Sequence, residues 1–237
     1  MGDSEPEAQN RISKFEFARG LRLLLFSSLV LSLFIPWKTG LRAETKPALA
    51  LFPFLVERGE DPGRGAICPI CKGVYRKGDI PLWSRTALNR LVYQKFERLG
   101  TFQLLPNEKM EETLSSGGMK GFEQSPVSTS IRIGKKLNAD YLLLGFIARF
   151  EERVGSALGV EKPASVAFDL HLYRVKDIKM VWEGRFDETQ RPLSENLLKI
   201  RSFFKRKAAW LTAEELASSG LDEMLKRLPS VQELEDY

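Results

Sequence analysis

The chain is short of the side chains that catalysis and metal binding draw on most often. Its 237 residues include one histidine, His171, and two cysteines, Cys68 and Cys71. No nucleophile pairs with the histidine by spacing. Zinc takes four ligands, so a site begun by the two cysteines would need His171 and a carboxylate, or a second chain, to close. The phosphate-loop pattern of Gly-Lys-Ser/Thr opening a helix is missing, and Gly155-Ser156-Ala157-Leu158-Gly159 reads instead as a hairpin tip. Charge of one sign is also scarce: 36 Lys/Arg face 31 Asp/Glu, a net +5. The first 43 residues hold six of those bases and four of the acids, which leaves 30 against 27, or +3. That excess is too small to argue for nucleic acid, and no zinc-finger or RNA-binding signature strengthens it. No cofactor and no nucleic-acid partner are expected. The paired acids Glu151-Glu152 and Asp187-Glu188 lie at strand ends, where adjacent residues point to opposite faces. Neither pair supplies the two facing carboxylates of a glycosidase.

One apolar run stands out. Arg11, Lys14, Arg19 and Arg22 precede Leu23–Trp37, which holds Pro36 near its end and is followed by Gly40 and Ala43. A basic flank, a short apolar core and small residues form the order of an export signal. The run has about fifteen residues against the roughly 20 that cross a bilayer. Residues 1–43 are therefore read as a signal peptide cleaved after Ala43, or as an uncleaved signal anchor with its bases on the cytoplasmic side. The destination is the periplasm or the inner membrane. No cysteine follows the run directly, so a lipid-modified terminus is not expected.

The pair Cys68-Pro69-Ile70-Cys71 sits in a segment, 57–79, punctuated by Asp61-Pro62-Gly63, Gly73 and Gly78. Such punctuation marks a loop. A Cys-x-x-Cys pair serves as a redox couple, half of a zinc site or a local disulfide. A redox pair belongs at the start of a helix after a strand, which this loop does not offer. The leading expectation is a disulfide pinning the loop in an oxidising compartment.

The remaining chain reads as a single α/β (α+β) domain over 44–228 with an acidic, frayed tail over 229–237. Pro47–Val56 is apolar throughout and predicts a strand buried on both faces, with Pro53 at an end or a bulge. Asp79 before Ile80-Pro81 predicts a helix over 80–99, and Gly100 its left-handed cap. A short strand is expected at Thr101–Leu105, a helix at 107–116, a flexible break at Ser115–Gly118 and a helix between Ser128 and Asn138. An antiparallel meander over about 140–189, flanked by helices in a mixed sheet, follows. In its second strand Val166, Phe168, Leu170 and Leu172 share one face, while Asp169, His171 and Tyr173 share the other. The polar face is expected to be solvated or to touch a partner, as is the tip at Gly155 and Gly159. A helix from Leu193 carries Lys199, Arg201, Lys205, Arg206 and Lys207 beside Phe203, Phe204 and Trp210, and would pack on the sheet or lie on an anionic membrane surface. Thr212 and Glu215 form a capping box for the last helix, which stops at Pro229.

Ala139-Asp140-Tyr141 entering a strand, the block Pro163–Asp169 and the segment Trp182–Gln190 together resemble a group of Gram-negative envelope proteins. The likeness is to uncharacterised lipoproteins of deltaproteobacterial type, the curli secretion-channel lipoprotein, the lipoprotein activators of penicillin-binding proteins and the amino-terminal domain of TolB. That resemblance implies a non-catalytic domain that recognises envelope proteins or assembles with itself as a homo-oligomer. It supplies no catalytic residues. A secretion-type ring and a thiol-disulfide oxidoreductase using Cys68 and Cys71 are the alternatives.

Overall fold

A computed structural model describes residues 46–56, 65–157, 159–191 and 210–237. The expected signal over 1–43 and the basic helix from Leu193, with Lys199, Arg201, Lys205, Arg206 and Lys207, lie outside the described residues. Among those described, no helix is long and apolar enough to cross a membrane.

The fold is α+β around a six-stranded mixed sheet. The apolar run 47–56 forms an interrupted strand: β1 (Ala48–Leu51) and β2 (Leu55–Val56) pair in parallel, one after the other, with a single long neighbour. Pro53, which has no amide to donate, falls in the gap between them. Two short strands, β3 (Ala66–Ile67) and β4 (Val74–Tyr75), make a separate hairpin around the cysteines. Helix α1 (Ser84–Leu99) ends at Gly100, whose φ of 63° is a left-handed cap. It starts later than Asp79 predicts, because the Asp79 carbonyl instead accepts the Phe150 amide at 2.8 Å.

Strand β5 (Gln103–Leu104) pairs parallel to β1 on the side away from β2's partner. Helix α2 (Asn107–Thr113) then runs through one π-helical turn, Leu114–Gly118, into α3 (Met119–Gln124). The Ser-Ser-Gly-Gly segment is thus helical rather than a flexible break: the π turn carries the helical direction through two glycines. Helix α4 (Pro126–Lys136) leads into β6 (Tyr141–Glu151).

After the small hairpin of β7 (Val154–Gly155) and β8 (Val160–Lys162), β9 (Ser165–Arg174) and β10 (Lys179–Thr189) complete the expected antiparallel meander β6-β9-β10. Helix α5 (Ala213–Leu225) opens on the Thr212–Glu215 capping box. The tail is not frayed. It forms α6 (Val231–Asp236), with a second capping box at Ser230 and Glu233 and with Leu234 fully buried.

The sheet carries a layer on each face. On the first, α1 and α5 cover Leu49, Tyr141, Leu143, Val166, Phe168, Leu170 and Leu172. On the second, α2–α4 and the cysteine hairpin cover Ala50, Leu142, Leu144, Phe146, Ala167 and Tyr173. All ten residues of β9 are buried. The expectation of a solvated polar face therefore fails: Asp169, His171 and Tyr173 lie inside, because the 65–75 hairpin forms a roof over them.

A candidate metal centre and a crevice at the strand ends

Alternation along β9 sends Asp169 and His171 to the same face, and the cysteine hairpin descends onto that face. The hairpin closes on itself through Cys68 N–H to Gly73 O at 2.9 Å and Lys72 N–H to Cys68 O at 3.0 Å. Lys72 takes a positive φ of 64°, which turns both sulfurs toward the sheet. The result brings together four donors separated by up to 103 residues. His171 Nε2 lies 3.4 Å from Cys68 Sγ and 3.2 Å from Asp169 Oδ1. Cys68 Sγ is 3.6 Å from Asp169 Oδ1, and Cys71 Sγ 3.7 Å from Asp169 Oδ2. The four ligand atoms all lie within 4.8 Å of one another.

Both cysteines are free thiols. The disulfide expected between Cys68 and Cys71 is not formed here: Cys68 Sγ faces Asp169 Oδ1 and His171 Nε2, and Cys71 Sγ faces Asp169 Oδ2. Each sulfur also accepts a backbone N–H from two residues ahead, Ile70 at 3.4 Å and Gly73 at 3.3 Å. Around the cluster, Tyr75 donates its hydroxyl to Asp169 Oδ2 at 2.6 Å, and the Arg185 guanidinium stacks 3.9 Å from the Tyr75 ring centroid. Arg185 also donates to the Val74 carbonyl.

Burial sets the electrostatics. Cys68 is 0% exposed and Asp169 and His171 are 1% exposed. Burial, followed by the Asp169 charge, pushes the Cys68 thiol well above its ordinary range. Burial raises Asp169 against the opposing pull of the Tyr75 hydroxyl bond, and lowers His171 to about 4. The histidine is therefore neutral at pH 7, with Nε2 toward the cluster. Its Nδ1 has no hydrogen-bond partner among the described residues. A neutral imidazole, a carboxylate and two sulfurs within a shared shell are a metal-ligand set. A buried, high-pKa thiol is a poor redox nucleophile, since the thiolate is the reactive form.

A second feature lies at the carboxyl ends of β5 and β1. From β1 the chain passes to β5 through α1 on one face; from β5 it passes to β6 through α2–α4 on the other. Connections that leave parallel strands for opposite faces open a crevice there. It has a volume of about 320 Å³, with Phe52, Phe54, Met110 and Leu114 among its apolar lining and Arg85, Asn89, Tyr93 and Glu111 among its polar groups. Asn89 Oδ1 accepts the Phe54 amide at 3.1 Å, which holds the gap between β1 and β2 open. Phe54 fits only because residue 145 is glycine: a Cβ there would sit 2.4 Å from the ring.

Of the expected contact residues, Gly155 and Gly159 stand at the exposed tip of the β7–β8 hairpin, whereas Asp169, His171 and Tyr173 belong to the interior. The roles of Tyr75, Arg185 and the crevice residues were not signalled by the sequence. The one available clue was arithmetical: Asp-x-His on a single strand face supplies the two donors that Cys-x-x-Cys lacks.

No protein-family model matches the chain, and no curated protein matches it. Among solved structures it is similar to the LpoB C-terminal domain from Salmonella enterica, at 13% identity and a TM-score of 0.41, over 62% of this chain and 84% of that one. It is also similar to lipoprotein GNA1162 from Neisseria meningitidis, at 11% identity and a TM-score of 0.42, over 68% and 98%. A third similarity is to the PelC dodecamer from Paraburkholderia phytofirmans, at 10% identity and a TM-score of 0.43, over 78% and 89%.

Proposed function

We propose that this chain is a non-catalytic recognition or assembly protein of the cell envelope, and that the crevice at the ends of β5 and β1 receives an apolar side chain of a protein partner. The crevice carries the reading. Its apolar lining suits a single buried anchor, and Arg85, Asn89, Tyr93 and Glu111 offer both donors and acceptors to the backbone around it. Export is supported by the basic flank and short apolar run over residues 11–37. Of the groups able to do chemistry, Cys68, Asp169 and His171 are withdrawn from solvent and Cys71 is half-buried, which weighs against a thiol oxidoreductase.

The test is a crosslinking capture from the envelope fraction with wild-type protein and a Ser115→Trp variant as paired baits. Ser115 is exposed on the crevice wall, so the indole fills the opening without touching the core. The wild type is expected to retain a protein that the variant loses by at least about tenfold, with unchanged melting of the variant. Equal capture by both baits, or no capture by either, sinks the reading.

A further inference from the structure

We propose that Cys68, Cys71, Asp169 and His171 form a closed structural zinc centre that staples the 65–75 hairpin to strand β9. The inference goes beyond the recognition function and stands or falls without it.

The argument is first one of distances. With zinc about 2.3 Å from sulfur and about 2.0–2.2 Å from nitrogen and oxygen, tetrahedral angles set neighbouring ligand atoms about 3.4–3.8 Å apart. The separations here are 3.4 Å for Cys68 Sγ to His171 Nε2, 3.6 Å for Cys68 Sγ to Asp169 Oδ1 and 3.2 Å for His171 Nε2 to Asp169 Oδ1. The two sulfur separations fall in that range and the third is about 0.2 Å short of it, so these three atoms approximate one face of such a tetrahedron. Cys71 Sγ lies 3.7 Å from Asp169 Oδ2, and one donor atom from each of the four residues falls within 4.8 Å of the others, so an inward shift of the Cys71 sulfur by up to about 1 Å supplies the fourth corner.

The surroundings are those of a metal shell. Ligating thiolates need donors, and each sulfur has a backbone N–H aimed at it. A ligating carboxylate needs its second oxygen fixed, and Tyr75 donates to Asp169 Oδ2. Two thiolates, one carboxylate and a neutral imidazole around a divalent ion carry a net −1. The Arg185 guanidinium, stacked on Tyr75, is the nearby counter-charge. Binding releases the two thiol protons to solvent and changes no oxidation state. Four protein ligands leave no open position, so the centre is structural rather than catalytic. A two-stranded hairpin of two residues per strand cannot hold itself together in water, and a metal bridging it to β9 supplies what its own ladder lacks.

The test uses the full chain isolated from the envelope fraction without chelator or reductant. Elemental analysis is expected to give about one zinc per chain, with both thiols shielded from a thiol reagent until a chelator removes the metal. Replacement by cobalt should give the visible bands of a tetrahedral site together with thiolate-to-cobalt charge transfer. Cys71→Ser, Asp169→Asn and His171→Gln should each lose most of the zinc. Tyr75→Phe should retain it with affinity weakened about 10–100-fold. Should a ligand variant fail to fold, the thiol and cobalt measurements on the wild type decide alone. A Cys68–Cys71 disulfide, two reactive thiols in protein that carries no metal as isolated, or cobalt spectra without sulfur charge transfer would each overturn the centre.

Discussion

Arg149 on β6 shows how one residue can set the stability of the meander. Its guanidinium donates to Ser165 Oγ at 2.7 Å, to the Arg76 carbonyl at 2.8 Å and to Asp187 Oδ1 at 2.6 Å. The side chain of Arg149 is 1% exposed and that of Asp187 is 35% exposed. The two partners are therefore not equivalent. Removing Asp187 strands a permanently charged guanidinium in the interior, whereas removing Arg149 leaves a carboxylate that water can reach. Breaking a buried pair by deleting one partner costs about 3–5 kcal/mol, and an exposed pair is worth about 1 kcal/mol or less. Asp187→Ala is expected to lose about 3 kcal/mol and Arg149→Met, which refills the volume with apolar atoms, about 1–2 kcal/mol. Urea unfolding of the two variants checks the order; a larger loss for Arg149→Met would mean that the bonds to Ser165 and Arg76, not the charge, dominate.

At the scale of the element, the carboxyl-terminal turn α6 depends on reciprocal polar contacts rather than length. Arg174 donates to the carbonyls of Leu234 and Glu235 at 2.6 and 2.9 Å and forms a two-pronged pair with Asp177. Ser230 and Glu233 cap the turn. The Arg174 hydrogen bond holds Asp177 below its usual value, and the Ser230 backbone and hydroxyl do the same for Glu233. A carboxylate whose folded pKa is depressed contributes stability that is present above its unfolded value and lost as pH falls through the folded one. The window thus lies below about pH 4. Protection of the Leu234 amide, which bonds to the Ser230 carbonyl at 2.9 Å, should fall in that range after correction for intrinsic exchange. Ser230→Ala should lower it about fivefold at neutral pH, and Glu233→Gln, which removes the titrating group that accepts the Ser230 amide at 2.8 Å, should flatten its acid dependence. An acid dependence unaltered by Glu233→Gln would remove Glu233 from the account.

Elements of this kind also mark what the sequence made legible. The Thr212–Glu215 box, Gly100 and the alternation of β9 are local signals, and each appears where its residues place it. Ser230-x-x-Glu233 carries the same capping signature, inside an acidic stretch whose composition alone reads as frayed. The second layer was not legible. Alternation along β9 separates apolar from polar side chains but does not say which face is covered, so Asp169 and His171 read as a solvated edge. Their roof is a loop about a hundred residues earlier, and no local pattern connects Cys68 to His171. The π turn was hidden for a related reason: Ser-Ser-Gly-Gly has weak helix propensity, yet here it carries the chain helically from α2 into α3.

Over the whole molecule, the two faces of the sheet are held differently. The first face is a continuous apolar layer in which α5 lies on β9 and β10 and α1 packs beside α5. The second combines short helices with a hairpin whose main tie to the sheet is the Cys68, Cys71, Asp169 and His171 cluster, supported by Arg185 and Tyr75. Proteins open in cooperative units whose free energies follow local burial and bonding. A tie that rests on a metal makes one such unit conditional while leaving the other untouched. Chelation should therefore speed exchange of the Cys68, Lys72 and Gly73 amides by at least about tenfold, because the turn bonds of Cys68 and Lys72 and the sulfur contact of Gly73 depend on the closed loop. Amides in α1, α5 and the centre of β6 should change by less than about twofold. Acceleration spread evenly over both faces would show that the sheet and both layers unfold as one unit, and that the hairpin is stapled to the global core rather than laid upon it. Acceleration confined to 65–75 would identify the roof over β9 as a separable lid, whose closure governs access to Asp169 and His171.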